Sequence, residues 1–340
     1  LVLNKKIISL GGITFGFSFL LVATAIFMNS LLLFSLAVLI SSVSVIFYGE
    51  AKNLFGLSPG KAILSERITK YSLIITALSL FLAAYLMDAF PVSGGQVILN
   101  AFNGVVSFKL YGYLIVFEIA AISFILAGYI LSYAKDKAEG AEEQPQASFG
   151  FFLNNKALLL LIAANIAISI VQITGYSYYG IFIFQNFKDV MFGGFLNVAM
   201  VFLISVFTSL IGYTIIKLNA KVYRKFSILI FGVILMAFMP FTYYYFKEDL
   251  VFLTVGTIIG VIGGSAFGVA NSLLSIELIS HDMRQAYFSF TNLVSTPFLL
   301  IAVPVMAYVA QIFGLSMLFL ILTIISATTI MVLFIAYLLL

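Results

Sequence analysis

Lys217-Leu-Asn-Ala-Lys-Val-Tyr-Arg-Lys225 leads directly into Phe226-Ser-Ile-Leu-Ile-Phe-Gly-Val-Ile-Leu-Met-Ala-Phe-Met-Pro-Phe-Thr-Tyr-Tyr-Tyr-Phe246. A basic loop, an apolar run and a tyrosine cluster follow one another, and the run matches the roughly 20 residues that cross a hydrocarbon core as a helix. Apolar runs of this length recur along the chain, at 7–27, 31–49, 68–90, 111–133, 157–183, 191–216, 226–246, 250–276, 286–312 and 315–340. Ten spans of this kind predict an all-α polytopic membrane protein.

The basic residues predict its orientation. Lys5 and Lys6 precede the first span; Lys52, Lys61, Arg67 and Lys70 follow the second. Lys135, Lys137 and Lys156 follow the fourth; Lys217, Lys221, Arg224 and Lys225 follow the sixth; Arg284 follows the eighth. Only Lys109, Lys188 and Lys247 of the 17 fall on the other side. Positive loops stay in the cytoplasm, so both ends of the chain are expected there, in a multi-pass protein of the cell membrane. The pI near 9.0 follows from these loops, and no nucleic-acid partner is expected.

Composition narrows the chemistry. A chain that is 63% hydrophobic and 9% charged, with a mean hydropathy of +1.18, has too few charges for a soluble domain, where about a quarter of residues carry one. Without cysteine and with a single histidine, His281, it lacks thiolate sites and histidine clusters, so no metal, cofactor or enzymatic activity is expected. Trp is absent and Tyr numbers 18, so tyrosines such as Tyr111, Tyr113 and Tyr243 are read as interfacial anchors.

The longest polar interruption, 134–156, carries Lys135, Asp136, Lys137, Glu139, Glu142, Glu143 and Pro145 and reads as a cytoplasmic linker. It separates an amino-terminal bundle, 1–133, from a six-span bundle, 157–340. An offset of 217 to 219 residues lays Lys5-Lys6 on Arg224-Lys225 and brings Arg67, Tyr71 and Ser72 near Arg284, Tyr287 and Ser289. Spans one to four thereby pair with spans seven to ten. Spans five and six have no counterpart, so two further amino-terminal helices are expected in the natural protein.

Two such bundles joined by a cytoplasmic linker resemble the major facilitator superfamily of secondary transporters, whose halves are repeats about an axis along the membrane normal. Glu277-Leu-Ile-Ser-His-Asp-Met-Arg284 is similar to that family's loop between helices ten and eleven, and Gln285-Ala-Tyr-Phe-Ser-Phe-Thr-Asn292 to the start of helix eleven. Lys217 to Lys225 keeps the basic pair of another family signature without its acidic residue and glycines. The resemblance implies a central cavity between the halves, open alternately to either side and lined here by the second, fifth and eighth spans. It also implies cytoplasmic gate charges, for which Glu277, Arg284, Arg224, Glu50 and Arg67 are the candidates.

In the fifth span Asn165, Ser169, Gln172, Tyr176 and Tyr179 recur at steps of four, three, four and three and share one helical stripe. Such a stripe either lines a cavity or joins helices; with Asn271 of the eighth span it forms the expected substrate cavity. Gly260, Gly263, Gly264 and Gly268 suit close helix packing or a hinge. Glu118 lies about 10 Å into the fourth span at 1.5 Å per residue. A carboxylate there should face the protein interior or hold a proton, which makes it the proton-coupling candidate beside a purely structural role.

Three classes of function fit. The first is a secondary transporter of a small organic solute, either neutral and sugar-like or lipophilic, since inward cations for an anionic one are missing. The second is a membrane enzyme, for which convergent acid, base or metal groups are lacking. The third is a non-transporting receptor or scaffold on a transporter fold.

Overall fold

The computed structural model describes residues 5–49, 62–90, 95–101, 104–133, 154–215, 222–279 and 284–339. Glu50 and the linker through residue 153 lie outside the described residues. In chain order the elements are α1 (Lys5–Phe27), α2 (Leu31–Gly49), α3 (Ala62–Ala89), β1 (Gly95–Ala101), β2 (Gly104–Leu110), α4 (Gly112–Tyr133), α5 (Lys156–Phe187), α6 (Gly194–Ile215), α7 (Val222–Tyr245), α8 (Leu250–Leu278) and α9 (Arg284–Leu338). They fall into two compact units, Leu1–Glu142 and Glu143–Leu340.

Among the described residues six helical stretches are long and apolar enough to cross a membrane: Lys6–Phe27, Gly112–Tyr133, Lys156–Phe187, Arg224–Tyr245, Leu250–Ser275 and Leu293–Leu338. Leu32–Ser41, Ile74–Ala89 and Gly194–Ser209 are shorter apolar helical stretches. In lipid every backbone amide must be satisfied within its own segment, and helices do this unaided. The architecture is that of a helical multi-pass membrane protein. Among the described residues the one sheet is the antiparallel pair β1–β2, with Gly95 opposite Leu110 and Ala101 opposite Gly104. Its segment is rich in β-branched residues and interrupted by Asn-Gly, a composition suited to a hairpin, and it falls between spans, where a strand can be tolerated.

In the first unit α1 packs on both α2 and α4. The α1–α4 contact is close because Gly16 and Gly128 lack side chains: a Cβ on Gly16 would lie 2.7 Å from the Ala121 carbonyl oxygen, and one on Gly128 would lie 2.8 Å from the Ser9 carbonyl oxygen. The Ser9 hydroxyl donates to the Gly128 carbonyl at 2.7 Å across the same contact. Phe19 stacks on Phe124 with ring centroids 5.5 Å apart, and Phe15 meets Phe124 edge-on at 4.7 Å. Glycines and aromatics divide the work here: the glycines permit the approach and the rings fill the space beside it.

In the second unit the clusters of buried residues reveal the course of the chain. Leu158 and Ile162 at the start of α5 share a cluster with Ile279 beyond α8 and with Tyr287 and Phe290 of early α9. Phe182, Ile183 and Phe187 at the far end of α5 share another with Val201, Tyr243, Leu253, Met306 and Phe319. Phe226 of early α7 lies 6.1 Å from Tyr337 of late α9, ring to ring. The beginning and end of α9 thus sit at one level and its middle at the other, so the 55-residue element folds back on itself. The reversal is at Gly314, whose φ of +83° and ψ of 166° are open to glycine and strained for other residues. Its two limbs correspond to the ninth and tenth spans of the sequence, and six helical segments alternate in direction.

The α7–α8 pair is the closest in this unit. Gly232 and Gly263 face each other so that a Cβ on the first would lie 2.9 Å from the carbonyl oxygen of the second, and a Cβ on the second would lie 2.5 Å from the carbonyl oxygen of the first. Gly260 likewise abuts the Met239 side chain. For Gly260 and Gly263 close packing therefore accounts for the missing side chain. The α5–α6 turn is held by Asn197, which is 2% exposed. Its amide donates to the carbonyls of Phe187 at 2.7 Å and Val190 at 2.6 Å and accepts from the Phe192 amide at 3.2 Å.

Two outcomes follow for thermal unfolding of the detergent-solubilised protein, followed by circular dichroism. Gly263→Ala, which drives a methyl group into the α7 backbone, is expected to cost about 1–3 kcal/mol, the usual penalty of overpacking; Gly268→Ala, where the added Cβ meets nothing within 4 Å, is expected to leave the transition unchanged or raise it. Equal effects at the two positions would contradict the packing described.

Candidate functional site

The polar stripe of α5 and the small-residue face of α8 meet in the second unit. Asn165 donates from Nδ2 to Oδ1 of Asn271 at 3.1 Å. Two turns further along, a Cβ on Gly264 would lie 3.4 Å from Nε2 of Gln172. The two pairs are in register for antiparallel helices: seven residues forward on α5 match seven back on α8. That register sets Ser169 opposite Phe267, next to Gly268, which is exposed and whose Cβ position is empty to 4 Å. Asn165, Ser169, Gln172 and Asn271 are each half-buried. Between α5 and α8 there is thus an uncharged seam of amides and a hydroxyl, with the Cβ position of Gly268 open beside it.

The outer part of the stripe divides. Tyr176 is 42% exposed and continues the accessible face, with its ring 6.2 Å from that of Phe202. Tyr179 is 2% exposed. Its ring stacks on Phe319 at 5.2 Å and lies 4.4 Å from Tyr243, within the aromatic core. Helical phase explains the split. At 100° per residue Tyr179 is displaced by about 40° from Asn165 toward the side carrying Ile168 and Val171, and those two residues are buried. Gly175 completes the arrangement, because a Cβ there would lie 2.8 Å from the Tyr179 ring. A step of four residues with glycine before tyrosine was the sequence signal for this inward turn, and the polar periodicity masks it.

The charges at the other end of the unit pair differently from the expected gate. Glu277 forms its ion pair with Lys225, whose residue is 4% exposed, while the Glu277 side chain is 37% exposed. Arg224, the neighbour singled out from the sequence, is exposed. Arg284 opens α9 and Arg67 lies within α3. Helix geometry again decides: successive residues point about 100° apart, so only one of Arg224 and Lys225 can face α8, and the close α7–α8 packing selects Lys225. The spacing of Glu277 and Arg284 carried no information about this neighbouring helix.

Glu118 lies on α4 in the first unit and is exposed there, next to Ile119 and Ile122, which are 48% and 57% exposed. The buried positions of α4 are Gly112, Tyr113, Ala121 and Gly128; Ala121 and Gly128 meet α1, Gly112 meets Leu86 of α3, and the carboxylate lies outside these contacts.

Replacing Glu277 by Gln would leave the buried Lys225 ammonium without its counter-charge. We expect Glu277→Gln to destabilise the protein by about 2 kcal/mol, and the double variant Lys225→Met with Glu277→Gln to recover most of that loss, since an apolar replacement of a buried pair is often neutral. Denaturation of the three proteins side by side measures it; a double variant no more stable than Glu277→Gln would count against the pairing.

Comparison with known proteins supplies no relative: no protein-family model matches this chain and no curated protein matches it.

Proposed function

We propose that this protein is a secondary transporter of a small, uncharged organic solute, working by alternating access in the cell membrane with both ends of the chain in the cytoplasm. The observation that carries the reading is the α5–α8 seam. Polar groups inside a spanning bundle cost free energy unless they are partnered, and here Asn165, Ser169, Gln172 and Asn271 line up near the open Cβ position of Gly268 with no charged side chain among them. Amides and hydroxyls both donate and accept, which suits a hydroxylated or amide-bearing solute and disfavours an anion.

The resemblance to the major facilitator superfamily belongs to the same proposal. It is supported by the positive loops on one side, the linker, and six helical segments that alternate in direction within Glu143–Leu340. In this reading the Asn165–Asn271 hydrogen bond holds α5 to α8 in one conformation and gives way to solute contacts in the other. Coupling to protons is assigned to Glu118, which lies exposed on an apolar face of α4.

Proteoliposome uptake across a panel of neutral sugars, polyols and lipophilic compounds tests the proposal. For a transported solute, Gln172→Ala or Asn271→Ala is expected to raise KM by about 5- to 100-fold, the effect of losing one buried hydrogen bond worth about 1–3 kcal/mol. The solute should also stabilise the purified protein by about 2.7 kcal/mol at 100 times its dissociation constant. Binding without flux would favour a receptor on the same fold. Glu118→Gln should abolish uptake driven by a pH gradient; an unchanged pH dependence rules out its coupling role.

A further inference from the structure

The hairpin of the first unit divides its residues by chemistry. Residues of a strand alternate between two faces, and the register pairs Val97 with Phe108, Leu99 with Val106 and Ala101 with Gly104 on one of them. No polar residue falls on that face. Gln96 with Lys109, Ile98 with Ser107 and Asn100 with Val105 make up the other, so every polar residue of the two strands lies there. Among the described residues β1 and β2 pack extensively only on each other. A two-stranded hairpin is marginally stable at best in water and needs its apolar face covered.

The base of the hairpin fixes what lies within its reach. Phe90 follows α3 and Gly112 opens α4. The Gly112 amide donates to the Phe90 carbonyl at 2.9 Å, and a Cβ on Gly112 would collide with the Leu86 carbonyl oxygen, so the two helix ends are clamped together. The apolar stretch of α3 ends at Ala89 and that of α4 begins at Gly112; only Tyr111 separates β2 from α4. Phe27, 59% exposed, meets Tyr111 edge-on at 5.9 Å, and Tyr111 meets Tyr113 at 6.0 Å. Such rings gather at the level of the lipid headgroups. The hairpin is therefore rooted at the membrane surface, and its strands, about 23 Å long at 3.3 Å per residue, have bilayer beside them. We propose that the face carrying Val97, Leu99, Val106 and Phe108 lies against the headgroup–acyl boundary of the adjoining leaflet, with the face of Gln96, Asn100, Ser107 and Lys109 toward water. This contact rests on α4 crossing the membrane and is independent of the transport reading.

The chain contains no Trp, so a single introduced one reports its own surroundings. Phe108→Trp marks the apolar face, and Ser107→Trp, its neighbour in sequence, marks the opposite one. Each full-length variant, checked by gel filtration and circular dichroism, is placed in nanodiscs, where acrylamide reaches both membrane surfaces, with phosphatidylcholine brominated on the acyl carbons nearest the headgroup. At position 108 the brominated lipid is expected to remove most of the emission, and acrylamide to quench several-fold less than at position 107. Position 107 should show the reverse order of the two quenchers. Strong and equal acrylamide quenching at both positions would put the hairpin in water and overturn the proposal. So would a position 108 shielded from both quenchers, because a second copy or another part of this chain would then cover the face. Equal quenching by lipid at both positions would also overturn it, since the hairpin would have no water-facing side. If Phe108→Trp does not fold, Leu99→Trp, on the same face, gives the same readout.

Discussion

The contact between Gly232 and Gly263 sets the frame of the larger unit. Because lipid offers helices no hydrophobic reason to associate, close backbone approach and dispersion have to hold them, and each of these glycines sits where the other's carbonyl leaves no room for a methyl group. That contact fixes α7 against α8 in both rotation and level. With the rotation set, Lys225 faces Glu277 and Arg224 does not. The level carries Tyr243 to Thr257, where their hydroxyls lie 3.2 Å apart, and builds the aromatic core around Tyr179 and Phe319.

The seam on the other face of α8 is the complement of that packing. Gly260 and Gly263 are used up in meeting α7, whereas Gly264 faces Gln172 of α5 and Gly268 meets nothing within 4 Å. A helix tied tightly along one edge and loosely along the other can part from α5 without losing its place in the bundle. The loose edge is where the amides are. The Asn165–Asn271 hydrogen bond spans 106 residues of sequence and is a modest interaction of about 1 kcal/mol.

Much of this was legible in the residues. Apolar length predicts the helices, and the break before Gly314 between the ninth and tenth spans coincides with the reversal of α9. The stripe of Asn165, Ser169, Gln172 and Tyr176 was found from its period, and its side chains share the partly exposed face. Other features were not legible. The hairpin of β1 and β2 hid in a stretch too short for a span and without strict alternation. Tyr179 obeyed the polar period and still turned inward, since a displacement of about 40° is enough to cross from an open face to a buried one.

The amino-acid sequence by itself determined the solvent of this protein, the number of its helical runs and the placing of its basic residues on alternate loops, because hydropathy and loop composition are local properties that survive without knowledge of neighbours. Which residues touch was decided only by tertiary structure. Glu118 fell outside the α1–α4 contact, Lys225 rather than Arg224 took Glu277, and Asn165 found Asn271 across the bundle. Partnership between helices depends on their relative rotation and level, and these are set by shape complementarity at glycines far along the chain, a property no single segment contains.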